Sequence, residues 1–227
     1  MKQKLSIITP IYNEEKNLIN FFNVLKKTVE KFDENYLIEI ILVNDGSNDD
    51  SLKICQRIKN ENPYVKVISL TRNFGHQNAI LSALKTISSD LYLVLDSDMQ
   101  HDPSHLNTII ENFQSSRVNI IQMKKKYENH EGFIKSFFSK IFYTIFEKFT
   151  DINIEKGSSD FYLITKKVRD QIINSNISFN FLRGFIHWSG FSKLYITYVP
   201  NKRIHGKSKY GFIKQLEFAL TGVYFYQ

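Results

Sequence analysis

Short blocks of apolar residues alternate along the chain with longer stretches in which apolar positions recur every three or four residues. Residues 5–9, 37–43, 65–70, 91–95 and 118–122 form apolar runs of strand length. Between them, the segments near 15–32, 49–60, 76–88 and 103–115 carry helical spacing. Each is long enough to cross from one strand to a parallel neighbour. The alternation predicts an α/β fold with a mainly parallel sheet flanked by helices.

In open sheets of this kind ligands bind beyond the carboxyl ends of the strands, so the strand exits are where chemistry is expected. The first four exits read "TPIYNEE", "NDGSNDDS", "TRNFGHQNA" and "DSDMQHDP". All are polar, and three carry carboxylates: Glu14, Asp45, and Asp96 with Asp98. Turn and capping chemistry explains Asp, Asn and Ser at any single exit. Four such exits in one sheet predict a polar, acidic rim.

The fourth exit is the most specific. On an extended segment residues i and i+2 point the same way, so Asp96 and Asp98 are expected to face one cavity, with Gln100 following if the extension persists. Two clustered carboxylates repel unless a cation or a proton lies between them. Mg²⁺ and Mn²⁺ take oxygen ligands and often bind through one or two carboxylates plus substrate phosphates. The pair therefore predicts a divalent ion that holds a diphosphate and stabilises charge on a departing nucleoside diphosphate. His101 is read as an exposed loop histidine rather than a further ligand.

Composition narrows the setting. The 227 residues are 42% hydrophobic, enough for a real core and against disorder. The net charge is +7, which suits a polyanion, an anionic membrane face or a phosphorylated substrate. No nucleic-acid-binding motif accompanies it, and the acidic rim would repel a phosphate backbone in the absence of metal. Cys55 is the only cysteine, so neither an internal disulfide nor a cysteine metal cluster is expected, and a reducing compartment is the simplest setting. The apolar run before Pro10 is too short for a signal-peptide core. No stretch reaches the length of a membrane span.

Residues 132–149, "GFIKSFFSKIFYTIFEKF", repeat aromatic and aliphatic positions at helical spacing with lysines largely between them. Such a helix either lies in a membrane interface with its lysines toward anionic headgroups or packs on the core. A second apolar helix is expected over 211–226. Between them "NKRIHGKSKYG" is a glycine-containing basic loop that either clamps a phosphate or forms a solvated turn. Trp188 and the nearby phenylalanines are read as core or interface packing.

The four exit motifs, followed in order by "GSSDFYLITKKV", "FLRGFIHWSGF" and "RIHGKSKYG", resemble the family 2 glycosyltransferases over almost the whole chain. The last three are similar to the branch that loads a sugar onto a polyprenyl phosphate, as dolichol-phosphate mannose synthase and bacterial undecaprenyl-phosphate glycosyltransferases do. The resemblance implies a GT-A fold, with residues 1–125 as the nucleotide-sugar half and 126–227 as the acceptor half of one catalytic domain. It implies that Pro10, Tyr12, Glu14, Asp45 and Asp96 line the donor site. Asp96 and Asp98, with Gln100 assisting, would hold Mg²⁺ or Mn²⁺. Asp98 and Asp160 would be the catalytic carboxylates, Asp160 at the junction of sugar and acceptor. Lys125, Arg203, Lys207 and Lys209 would face the acceptor phosphate or the membrane.

Two positions depart from the family pattern. Asn44 stands where relatives often carry a first aspartate, and the run Lys124–Lys125–Lys126 stands where they often carry arginine, so charge is kept without a bidentate fork. Many relatives continue into membrane spans, whereas this chain stops at Gln227, so a peripheral form on the cytoplasmic face of the membrane is expected, as a truncation or by nature. The lipid acceptor implied by the resemblance favours the membrane interface for the aromatic helix. The expected reaction is inverting transfer of a hexose from a nucleotide sugar, with a UDP-sugar favoured, to a polyprenyl phosphate. Transfer to a glycan or glycolipid hydroxyl and a non-catalytic membrane-associated binding module stay open as alternatives. So does oligomeric state, a homo-oligomer included.

Overall fold

A computed structural model describes residues 2–32, 34–126, 155, 157–175 and 182–201. The expected helices over 132–149 and 211–226, and the acceptor-site lysines and arginine at Arg203, Lys207 and Lys209, lie outside the described residues. Within them the chain runs β1 (Gln3–Ile11), α1 (Leu18–Val29), β2 (Tyr36–Asn44), α2 (Ser51–Glu61), β3 (Val65–Ser69), α3 (His76–Thr86), β4 (Leu91–Val94), α4 (Leu106–Ser116), β5 (Ile120–Lys125), β6 (Ser158–Thr165), α5 (Lys166–Asn174), α6 (Leu182–Trp188) and β7 (Lys193–Tyr198). Among the described residues no helix is long and apolar enough to cross a membrane.

The strands form one sheet in the order β3-β2-β1-β4-β6-β5-β7. Six run parallel to one another, and only β6 runs against its neighbours β4 and β5. The expected mainly parallel α/β architecture is therefore present. β5 begins two residues later than its apolar run and continues to Lys125, because pairing with β6 and β7 extends past the apolar residues. β6 sits between β4 and β5, so the two halves of the chain share one sheet.

Side-chain alternation assigns the two faces. Along β1, Leu5, Ile7 and Ile11 join one core cluster and Ile8 joins the other. The first cluster takes Leu18, Phe21, Phe22 and Leu25 of α1, Cys55 and Ile58 of α2, and Leu106, Ile109 and Ile110 of α4. The second takes Ala79, Ile80, Ala83 and Leu84 of α3, Val168 and Ile172 of α5, and Leu182 and Phe185 of α6. Their three- and four-residue spacing is the helical period, and each fully buried large side chain is worth about 1.5–3 kcal/mol. Phe185 is core, as expected, whereas Trp188 at the end of α6 is half exposed. Arg169 of α5 ties the layers together by donating to the carbonyls of Leu84 and Ile87 at the end of α3, at 2.8 and 2.9 Å.

A carboxylate shared by two lysines sets a pH dependence. Glu39 on β2 lies opposite Ser6 and accepts from Lys4 on β1 at 3.2 Å and from Lys66 on β3. Burial pushes its carboxyl up, but Lys66 and Lys4 outweigh that and hold it below its ordinary value. The interaction therefore stabilises the fold above the unfolded-state value, and this contribution is lost as pH falls through the folded one. Replacing Glu39 by glutamine is expected to cost about 1 kcal/mol at neutral pH. In urea titrations across pH, the gap between the two proteins should close as pH falls below the ordinary glutamate value and through the lowered folded one.

Candidate active site

All six parallel strands end on one rim, and β6 starts there, so the exits converge as expected. The first two exit loops interlock. The Asn13 and Glu14 N–H groups donate to the Ser47 and Ser51 hydroxyls at 3.0 and 2.8 Å, while the Asn48 N–H donates to the Asn13 side chain at 2.8 Å. Pro10 lies in the last turn of β1 pairing, opposite Val43. Tyr12 and Glu14 follow half-buried, and the Glu14 carboxylate accepts from the Asn17 amide at 2.6 Å.

Asp45 is buried at the end of β2, and its two oxygens accept from the Phe74 and Gly75 N–H groups at 2.8 and 3.0 Å. Burial raises this carboxyl despite those two bonds. Here Asp45 holds the third exit loop in place. Gly46 makes that docking feasible: it has φ +64°, and a Cβ there would stand 2.2 Å from the Arg72 backbone carbon.

The register of β6 explains the centre of the site. Leu91 pairs with Thr165 and Val94 with Tyr162; two further steps set Asp96 against Asp160. Val94 and Tyr162 belong to the face covered by α3, and residues two apart share a face. Both carboxylates therefore meet the first turn of α3. His76 Nε2 lies 3.4 Å from Asp96 Oδ1 and 3.5 Å from Asp160 Oδ2, and Gln77 donates to Asp160 Oδ2 at 3.2 Å. His76 and Gln77 lie within "TRNFGHQNA", and the sequence reading does not include them among the site residues. A histidine and an amide directly after a glycine, at a polar strand exit and a helix start, were the available signal.

Asp96 is gripped from a second direction by His101, whose Nε2 lies 3.3 Å from Oδ2. His101 is not an exposed loop residue: it is 2% exposed. The turn at Asp102, whose side chain accepts from the Ser104 N–H at 2.8 Å, folds the loop inward, and Tyr198 and Phe161 cover the ring. Burial pushes Asp96 up, but His76, His101 and Lys125 outweigh it and hold the carboxyl well below the usual carboxylate range. Lys125 thus acts on the site, while its neighbour Lys124 is committed to Glu155.

The extended path assumed for Gln100 does not persist. Met99 has φ +62°, and the Gln100 N–H turns back to donate to Asp98 Oδ1 at 3.0 Å. A non-glycine residue in this region is uncommon, and the loop curls instead of projecting three side chains in a row. Asp98 is buried within it.

Among the described residues no three His, Cys, Asp or Glu side chains form a group that could hold a metal by themselves. The donor set fits an ion shared with a ligand. Asp96 Oδ1 is buried and makes no hydrogen bond, as is His76 Nε2 beside it. An ionised, buried oxygen without a donor is costly and is suited to a cation whose remaining positions are filled by phosphate oxygens. Cys55 plays no part: burial pushes its thiol up to about 12, so it supplies no thiolate near neutral pH.

With this geometry in view, comparison with known proteins decides the family. A model of the glycosyl transferase family 2 domain matches residues 6–181. The chain belongs to glycosyl transferase family 2. It is 33% identical over 218 residues to the uncharacterised glycosyltransferase YkcC of Bacillus subtilis, covering 96% of this chain and 67% of that protein. It is 30% identical over 222 residues to the bactoprenol glucosyl transferase of Shigella phage SfV, covering 97% and 71%. The chain thus spans about two thirds of the length of these relatives. Among solved structures, glucosyl-3-phosphoglycerate synthase from Mycobacterium tuberculosis, in complex with Mn²⁺, uridine diphosphate and phosphoglyceric acid, superposes with a TM-score of 0.65. Its identity is 13%, with 97% of this chain and 78% of that one covered, so the likeness speaks for the GT-A fold alone.

Proposed function

We propose that this family 2 glycosyltransferase moves a hexose from a nucleotide sugar, a UDP-sugar by preference, to a polyprenyl phosphate at the cytoplasmic face of the membrane. The observation that carries this reading is the facing pair Asp96 and Asp160 on adjacent strands, both within 3.5 Å of His76 Nε2, with Asp96 Oδ1 buried and undonated. Relatives named bactoprenol glucosyl transferases support the acceptor class, and the Mn²⁺ and uridine diphosphate of the mycobacterial synthase support the donor and the ion.

Asp96 and Asp98 would hold Mg²⁺ or Mn²⁺, which when bound neutralises charge on the departing nucleoside diphosphate. Pro10, Tyr12, Glu14 and Asp45 line the donor pocket in the first half of the domain. In the second half Asp160 orients the acceptor against the sugar. An acceptor phosphate oxygen forms the new bond to the anomeric carbon as the bond to the diphosphate oxygen breaks, and the centre inverts. A phosphate monoester is largely ionised at neutral pH, with a second pKa of about 6, so no base need remove a proton. Lys125 adds positive charge on this side of the rim, and Arg203, Lys207 and Lys209 are assigned to the acceptor phosphate from the sequence.

The test is a screen of nucleotide sugars with short-chain polyprenyl phosphate and added Mn²⁺, scored by the mass of the lipid product. A lipid-linked hexose, formed only with the phosphorylated lipid, is the expected result. Products formed on glycan or glycolipid hydroxyls instead would overturn the acceptor assignment.

A further inference from the structure

His101 and Tyr198 stand 97 residues apart and meet behind Asp96. Tyr198 ends β7, the last strand of the sheet, where it pairs with Lys125. Its hydroxyl contacts His101 Nδ1, and the other ring nitrogen, Nε2, faces Asp96 Oδ2 at 3.3 Å. The Asn201 N–H, just beyond β7, donates to the Gln100 carbonyl at 3.1 Å. The exit of β7 therefore clasps the Asp98–His101 loop twice, once by main chain and once through this side-chain chain.

The chemistry of the three groups fixes the proton on Nε2 and, for a neutral ring, the direction of the chain. An ionised carboxylate only accepts hydrogen bonds, so His101 must carry its proton on Nε2 to meet Asp96. In the neutral imidazole Nδ1 is then an acceptor, and the Tyr198 O–H donates to it. Aromatic neighbours pack against both rings. The His101 ring lies edge-on to Phe161 with centroids 5.4 Å apart, and Tyr198 is packed edge-on by Phe161 at 6.2 Å and His105 at 5.3 Å. Both residues are almost wholly buried, at 2% and 4% exposure.

We propose that His101 and Tyr198 are positioning residues for Asp96: together they occupy Oδ2 and so leave Oδ1 turned toward His76. The proposal rests on the reading that Asp96 helps hold the divalent ion. It adds that the orientation of this ligand is set from β7, in the half of the chain assigned to the acceptor. Partners of this kind that hold a metal-binding carboxylate typically change metal affinity 10–100-fold, as an order of magnitude, when removed.

Two measurements on the whole chain test it. The first needs no metal. Long-range ¹H–¹⁵N spectra of histidine-labelled protein should show His101 as the Nε2–H tautomer, and Tyr198→Phe should move its Nδ1 signal. An Nδ1–H tautomer would overturn the proposal. The second is Mn²⁺ affinity read from the electron paramagnetic resonance signal of the free ion. His101→Gln keeps an amide near the Nε2 position and should keep most of the affinity. His101→Asn, whose amide reaches only the Nδ1 position, should weaken binding about 10–100-fold, and Tyr198→Phe about tenfold. Equal losses for the two His101 variants, or losses that merely track melting temperature, would also overturn it. Wild-type protein that binds no Mn²⁺, or Asp96→Asn with unchanged affinity, would refute the ion reading instead, and the tautomer would then decide the positioning role alone.

Discussion

Replacing Asp96 by asparagine is expected to slow sugar transfer about 1,000-fold, equivalent to about 4 kcal/mol of transition-state stabilisation. The substitution keeps the shape of the side chain, so the packing of His76, His101 and β6 around it should persist. What it removes is the charge. Asp96 is the carboxylate that the surrounding histidines and Lys125 keep ionised, and its Oδ1 is the buried oxygen left without a donor. An amide cannot neutralise a divalent ion, so the loss should appear in kcat and in the Mn²⁺ concentration needed for activity. Steady-state kinetics at several Mn²⁺ concentrations, with thermal denaturation as a control, measures both. Near-normal turnover in a folded Asp96→Asn protein would remove this residue from the reaction.

Asp160→Asn is expected to be milder and more informative about the acceptor. Gln77 donates to Asp160 Oδ2, and an asparagine oxygen can take that bond, so the side chain should stay in place. If Asp160 orients the acceptor, the rate with a polyprenyl phosphate should fall by about 10–100-fold, the scale of a misplaced reactant, and remain measurable. General-base catalysis is worth about 10²–10⁴-fold, so a hydroxyl acceptor would suffer the larger loss. Complete loss of transfer to the phosphate, with donor binding intact, would contradict an orienting role.

The parts of the fold set by local pattern were legible in the sequence. The apolar runs and helical spacings through residue 125 correspond to β1–β5 and α1–α4, because buried strands and amphipathic helices carry their period in the chain. The acidic exits were legible for the same reason. What local pattern could not supply was pairing. Asp160 reaches Asp96 only because β6 inserts antiparallel between β4 and β5, a register that no residue near Asp160 encodes alone. His101 looks like a solvated loop histidine beside Asp102 and Pro103; its burial depends on Tyr198, supplied by β7. Gln100 falls in line with Asp96 and Asp98 only on an extended chain, which Met99 breaks by turning left-handed. His76 lies in the third strand exit, and its importance emerges only when Asp96 and Asp160 are placed on either side of it.

The most direct measurement is anomalous diffraction at the manganese edge from crystals grown with Mn²⁺ and uridine diphosphate. A single peak within coordination distance of the Asp96 or Asp98 carboxylate and of the diphosphate oxygens is the predicted result. Diphosphate bound on this rim with no manganese against either aspartate would contradict the account.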